Sequence, residues 1–301
     1  MGILKIEGLY KSYGSQAALT NIDLEIPEGK VFGLLGPNGA GKTSLIRIVN
    51  QIIEADKGEV LVKGESLAPK HIKHIGYLPE ERGLYKRMKV AEQLLYFAQL
   101  KGLSSFDAKK KVGHWLEKLD IAAWKDKKIE DLSKGMAQKV QFVATVIHEP
   151  EILILDEPFS GFDPVNAEII KNEIIEMKDS GTTVMLSTHR MESVELLCDH
   201  LAMINKSHKV LDGAVQAVKN HARSNTFSVM LGKVNGSLPD GIWDFKLTDE
   251  GHHEFKIKMK DDDHNIFVSE LMSYGELLSF SEVIPTIEEI FIQKVKENEH
   301  E

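Results

Sequence analysis

The chain has 301 residues, 42% hydrophobic and 28% charged, a length that buries about three quarters of the unfolded surface and accommodates more than one core. Lys and Arg number 37 against 46 Asp and Glu, and the net charge of −9 argues against broad nucleic-acid binding, which needs a basic face. Cys198 is the single cysteine, which excludes an internal disulfide and a multi-cysteine zinc site and fits a small buried filler in a reducing compartment.

No apolar run reaches the roughly 20 residues that cross a bilayer, and the opening Met1-Gly2-Ile3-Leu4-Lys5-Ile6-Glu7 lacks the layout of a signal peptide. The expectation is a cytoplasmic chain that meets a membrane only through a partner. Residues 3–35 alternate apolar and polar positions, with turn signals at Tyr13-Gly14 and Pro27-Glu28-Gly29. This pattern predicts a small antiparallel sheet leading into a buried strand, Val31-Phe32-Gly33-Leu34-Leu35. The strand runs into Gly36-Pro37-Asn38-Gly39-Ala40-Gly41-Lys42-Thr43-Ser44 and then a helical Leu45-Ile46-Arg47-Ile48-Val49, which is the strand–loop–helix setting of a phosphate-binding loop. Glycines let the backbone curl so that its N–H groups and the helix N-terminus cradle an anion. Lys42 then reaches the outer phosphates and the Thr43 hydroxyl ligates Mg2+. The chain is expected to bind a nucleoside triphosphate.

Further strands are predicted at Gly58–Gly64 and His74–Pro79. From Val90 to Trp124 the pattern is helical, with Leu94, Leu95, Phe97, Ala98 and Leu100 on one stripe and Val112, Trp115, Leu116 and Leu119 on another, so a helical subdomain is expected over about residues 85–148. Ile152-Leu153-Ile154-Leu155 closes on Asp156-Glu157, as a strand buried on both faces would. Acids there fall at the edge of a parallel sheet where ligands bind: Asp156 is placed to hold Mg2+, through a water, and Glu157 to orient or deprotonate the attacking water. Thr182–Ser187 is a second buried strand, and strands alternating with helices imply a mostly parallel sheet. The character changes around residues 213–225. Phe255, Ile257 and Met259 alternate with lysines, residues 264–274 are helical, Leu277–Ile284 is a strand, and Thr286-Ile287-Glu288-Glu289 has the spacing of a capping box opening a final helix. The polar tail Glu297–Glu301 is expected to fray. The boundaries expected are 1–220 for the nucleotide-binding domain and 221–301 for a small α+β accessory domain.

Leu132-Ser133-Lys134-Gly135-Met136 lies shortly before Asp156, Ser160-Gly161-Phe162-Asp163 follows the acids, and His189 stands in Ser187-Thr188-His189-Arg190-Met191-Glu192. In that order these segments resemble the signature motif, D-loop and switch histidine of the ATP-binding-cassette (ABC) ATPases. Tyr77-Leu78-Pro79-Glu80 resembles the Q-loop, and Tyr13 the aromatic that stacks on adenine; the likeness spans residues 3–215. It implies an α/β phosphate-loop NTPase cassette with an antiparallel N-terminal sheet and a helical subdomain. It further implies an ATPase that uses ATP and Mg2+, with Thr43, Glu80 and Asp156 around the metal and Glu157 and His189 catalytic. Two subunits, identical or similar, would pack head to tail, with Ser133 and Gly135 of one meeting the γ-phosphate held by Lys42 of the other.

Two motifs depart from that family's pattern: Glu80 stands in place of the Q-loop glutamine, and Lys134 and Met136 replace the first glycine and the glutamine of the signature. The run Pro79-Glu80-Glu81-Arg82-Gly83-Leu84-Tyr85, with Leu-Ser-Lys-Gly-Met and the ending Pro285-Thr286-Ile287-Glu288-Glu289-Ile290-Phe291-Ile292, resembles the ABC-2-type exporter ATPases, including the sodium-extrusion and drug-resistance groups. The implied function is to power a separate multi-spanning permease, from the cytoplasmic face of the membrane. A permease helix would dock near residues 80–100, where Lys86, Arg87, Lys89 and the apolar stripe after Val90 are candidate contacts. The alternatives are a soluble cassette ATPase of nucleic-acid repair or translation, and a nucleotide-binding regulator with negligible turnover. The single phosphate loop, the lack of sustained heptads and the acidic balance stand against the first, and the intact Asp156, Glu157 and His189 against the second.

Overall fold

The computed structural model describes residues 2–81, 83–259 and 263–298; Arg82 of the 79–85 run and residues 299–301 of the polar tail lie outside the described residues. The chain divides into two compact units, Met1–Val215 and Gln216–Glu301.

In the first unit, β1 (Gly2–Tyr13) and β2 (Gln16–Pro27) form a hairpin, β3 (Val31–Leu35) follows, and a loop leads into α1 (Lys42–Val49). Next come β4 (Lys57–Val62), β5 (Glu65–Ser66), the short α2 (Pro69–Ile72) and β6 (Ile75–Leu78). Three helices, α3 (Val90–Leu100), α4 (Ser105–Lys118) and α5 (Lys134–Val146), precede β7 (Ile152–Asp156), α6 (Pro164–Asp179), β8 (Thr183–Thr188), α7 (Met191–Leu197), β9 (His200–Asn205) and β10 (His208–Ala214). One sheet has the order β2-β1-β4-β5 and the other β10-β9-β3-β8-β7-β6. The first is antiparallel. In the second only β10 runs against its neighbour.

The parallel strands β3, β7 and β8 are buried at every residue, which is why they read as unbroken apolar runs. Leu4, Ile6, Leu24 and Ile26 of the antiparallel sheet share one core with Phe32, Leu34, Ile46, Ile154 and Met185, so both sheets present the phosphate loop from a single packed body. In the helical region Trp115 of α4 meets Phe142 of α5 edge-on at 6.2 Å, and Ser104 caps α4 by accepting from the Asp107 amide at 3.1 Å.

The α3 stripe needs one correction. Val90, Leu94 and Ala98, at i, i+4 and i+8, are fully buried, whereas Leu100 is 65% exposed. At about 100° per residue, Leu100 lies roughly a third of a turn away from Leu94, off the buried face.

The second unit opens with α8 (Val215–His221) at the junction and continues with β11 (Thr226–Val234), β12 (Trp243–Leu247), β13 (His253–Lys258), α9 (His264–Tyr274), β14 (Gly275–Glu282) and α10 (Ile287–Asn298). Its antiparallel sheet has the order β12-β13-β11-β14, and Phe227, Val229, Leu231, Phe255, Ile257 and Leu271 of α9 form its core. The last strand begins at Gly275 rather than 277, because α9 hands over to it directly. The capping box at 286–289 is made: Thr286 N donates to Glu289 Oε2 at 2.8 Å, and Glu289 N donates to Thr286 Oγ1 at 3.1 Å.

Candidate functional site

The loop from β3 to α1 is built around glycines that no other residue replaces. Gly36 has φ +146° and a side-chain carbon there would lie 2.1 Å from the Ile204 carbonyl; Gly41 has φ +116°, and its Cβ would lie 2.2 Å from the Ala18 carbonyl. Left-handed φ and neighbouring backbone together exclude a side chain. Lys42 opens α1 at 7% exposure, and its Nζ donates to the carbonyls of Gly36 at 2.7 Å and Pro37 at 3.1 Å. Burial pushes the Lys42 pKa down, while Glu157, Asp156 and Glu80 oppose that shift. The amine is thus enclosed by its own loop and faces carboxylates across the site.

A cavity of about 260 Å³ opens over this loop, lined by Tyr13, residues 16–18, residues 38–44, Glu80, Asp156, Glu157 and His189. Residues read from five separate stretches of sequence therefore converge on one space. Tyr13 OH lies 3.3 Å from Ser44 Oγ, which holds the ring at the mouth. Asp156 ends β7 at 4% exposure; burial raises its carboxyl pKa, with Glu80 and Glu157 adding to the effect and Lys42 opposing it. A larger cavity, about 530 Å³, lies among Glu151, Thr182 and Trp115, before the start of β7 and β8. Ligands of a parallel sheet bind beyond the carboxyl ends of its strands, and only the smaller cavity joins a lysine, carboxylates and a glycine loop.

Glu157 is the most tightly held group. Its backbone is left-handed, φ +50°, and its amide donates to the Ser187 carbonyl at 2.9 Å. Its carboxylate accepts from Thr188 Oγ1 at 3.1 Å and from the His189 amide at 2.8 Å, and lies 2.6 Å from His189 Nδ1. The Thr188 hydroxyl in turn accepts from the Arg190 amide at 3.0 Å. With Nδ1 as donor to Glu157, the imidazole of His189 keeps Nε2 for another partner. Sequence reasoning missed Thr188. Its signal is its place between β8 and His189, opposite the end of β7.

The donor set fits a triphosphate with a divalent cation: the glycine loop and Lys42 for the anion, and the Thr43 hydroxyl with Asp156 and Glu80 for a hard metal. Among the described residues no group of three or more His, Cys, Asp or Glu side chains is placed to hold a metal by itself, which suits a cation whose shell is completed by phosphate and water. Ser133 and Gly135 do not line this cavity. Ser133 instead caps α5, accepting from the Met136 amide at 3.3 Å.

An apolar cavity of about 370 Å³ lies beside part of the 80–100 segment, lined among others by Ile52, Tyr77, Leu84, Phe97, Leu100 and His148. Lys86, Arg87 and Lys89 are not among its lining residues.

A phosphate loop on a buried parallel sheet, with strand-end acids in the same cavity, defines a nucleotide-binding cassette of the phosphate-loop class. Residues 19–160 match the family described as ABC transporter, and residues 213–295 match the C-terminal domain of DrrA1-3-like ATP-binding proteins. The chain is 41% identical over 295 residues to the uncharacterized ABC transporter ATP-binding protein YhaQ of Bacillus subtilis, covering 97% of this chain and 98% of that one. It is 33% identical over 214 residues to the linearmycin resistance ATP-binding protein LnrL of the same organism, covering 70% of this chain and 69% of LnrL. The solved structure of cbiO1 from Clostridium perfringens, part of the ABC transporter complex cbiONQ, superposes with a TM-score of 0.64 at 30% identity, over 72% of this chain and 90% of that one. The chain belongs to the family of ABC transporter ATP-binding subunits, in the ABC-2-type exporter branch that the DrrA-like C-terminal domain marks. The repair and translation alternative is not favoured, since YhaQ is named an ABC transporter ATP-binding protein and cbiO1 is part of an ABC transporter complex.

Proposed function

We infer that this chain hydrolyses ATP to drive a separate membrane permease and that Glu157 is its general base. The observation that carries this reading is the clamp on Glu157, whose carboxylate is fixed by Thr188, the His189 amide and the His189 ring in the cavity that also holds Lys42 and Asp156. A base held in place needs no reorganisation at the moment of reaction. The residues of the 36–44 loop bind the triphosphate through amides and Lys42, and Tyr13 supports the adenine. Glu157 takes a proton from the attacking water as its oxygen bonds to the γ-phosphorus and the bond to the β-phosphate oxygen breaks, giving ADP and phosphate. His189 helps to hold the water and the γ-phosphate. Thr43, Asp156 and Glu80 are the residues to hold Mg2+, which when bound neutralises charge on the phosphates.

Ser133 and Gly135 open α5, whose N-terminus suits an anion, yet neither lines its own chain's cavity. The head-to-tail dimer explains both facts: each would serve the nucleotide of a partner subunit. A helix of the permease would lie in the apolar groove of Tyr77, Leu84, Phe97 and His148, and no helix of the described residues is long and apolar enough to cross a membrane, so a permease would supply the path and hold this subunit at the cytoplasmic face.

Glu157→Gln tests the reading. It should lower kcat for phosphate release by about 10² or more, as loss of a general base does, with fluorescent-ATP affinity unchanged. Unaltered turnover would remove Glu157 from that role.

A further inference from the structure

We propose that Lys134 is a positioning residue whose packed stem ties the N-terminus of α5 to the loop that carries Glu157 in the same chain. The proposal rests on the reading of Glu157 as base and of Ser133 and Gly135 as contacts to a partner's nucleotide.

Lys134 is the first residue of α5, between the capping Ser133 and Gly135. Its side chain crosses to the loop after β7 and lies where a side chain of Gly161 would be. A Cβ at Gly161 would stand 2.2 Å from Lys134 Cε, 2.7 Å from Nζ and 2.9 Å from Cδ. Gly161 also has φ +84°, and that backbone conformation keeps this face bare beside the lysine.

Lys134 and Gly161 are themselves exposed, but each end of the contact is hydrogen-bonded within its own element. Ala137, on the first turn of α5, is buried, and its amide donates to the Ser133 carbonyl at 2.9 Å. On the other side, the Ser160 amide donates to the Glu157 carbonyl at 3.0 Å, closing a tight turn that begins at the proposed base. Asp163 then ends the loop by capping α6, accepting from the Asn166 amide at 3.0 Å. A shift at Gly161 therefore reaches Glu157 through one hydrogen-bonded turn. Glycine at position 134, the residue of the family's usual signature, has no stem to make this link. Here it joins the segment serving the partner's nucleotide to the base serving the chain's own, so that occupancy of one site is felt at the other.

The test uses the full chain with Lys134→Ala and with Lys134→Met, which keeps the stem without the charge. ATP hydrolysis is measured against ATP concentration, together with hydrogen exchange of peptides spanning 157–163. Alanine should lower kcat about tenfold, within the cost of small misplacements of catalytic groups, and reduce the Hill coefficient from near the limit of about 2 set by two sites toward 1. Exchange over 157–163 should quicken, and methionine should stay within about twofold of the wild type on this packing account. Unchanged exchange in Lys134→Ala overturns the proposal even if turnover falls, because the lysine would then act only at the partner's nucleotide. Equal losses in both variants overturn the packed stem as the tie. A wild type without hydrolysis would end the reading of Glu157 as base, and the exchange data alone would then decide whether the tie exists.

Discussion

Glu157 occupies a left-handed backbone conformation, φ +50°, which costs a non-glycine residue about 1 kcal/mol or more. The cost is offset by four hydrogen-bonded contacts, one from its amide and three to its carboxylate. Thr188 is the hinge of that set, because its hydroxyl donates to the carboxylate while accepting from Arg190 N. Thr188→Val keeps the shape and removes the hydroxyl. It should reduce kcat about tenfold through a less well-placed base and leave ATP affinity unchanged, as phosphate release and equilibrium binding would show. The residues of the phosphate loop are legible in the sequence because they are contiguous and their chemistry is tied to glycine. Thr188 is not, since a threonine acquires its role only when β7 and β8 align Asp156 with Ser187.

At the scale of elements, apolar runs named β3, β7 and β8 correctly because burial on both faces removes any need for polar alternation. No expectation covers β9 to β12: β9 and β11 bury apolar residues, whereas β12 buries none. Every residue of β12 is exposed, and a strand without a buried face has no period to detect. On α3 the sequence marks the helix but blurs its face: a run as apolar as Leu94–Leu100 does not say which side packs, and the neighbouring helices decide. Leu94 is fully buried and Leu100 is 65% exposed. Leu94→Ala should cost about 2–5 kcal/mol and Leu100→Ala within about 0.5 kcal/mol in urea denaturation. Equal costs would contradict this assignment of the buried face.

For the whole molecule, the two units follow the two family matches, and acid sensitivity of stability is expected from the first. His148 is held down to about 4 by burial, with Lys101 adding to it, against an ordinary value of 6.5. Its folded pKa is depressed, so between those values the unfolded chain binds the extra proton. Stability is full above pH 6.5 and falls as pH drops toward 4, by up to about 3 kcal/mol from this group. His148→Gln should flatten the dependence, and denaturant midpoints at pH 5 and 7.5 compared between variant and wild type would show it.

The sharing of each nucleotide between two subunits is the central claim, and mixed dimers test it most directly. Lys42→Ala and Ser133→Ala chains carrying different tags are co-expressed, and the doubly tagged dimer is assayed for phosphate release beside each homodimer. Head-to-tail sharing leaves one intact composite site in the mixed dimer, so it should hydrolyse ATP while both homodimers are nearly inactive. A mixed dimer as inactive as its parents would contradict the shared site.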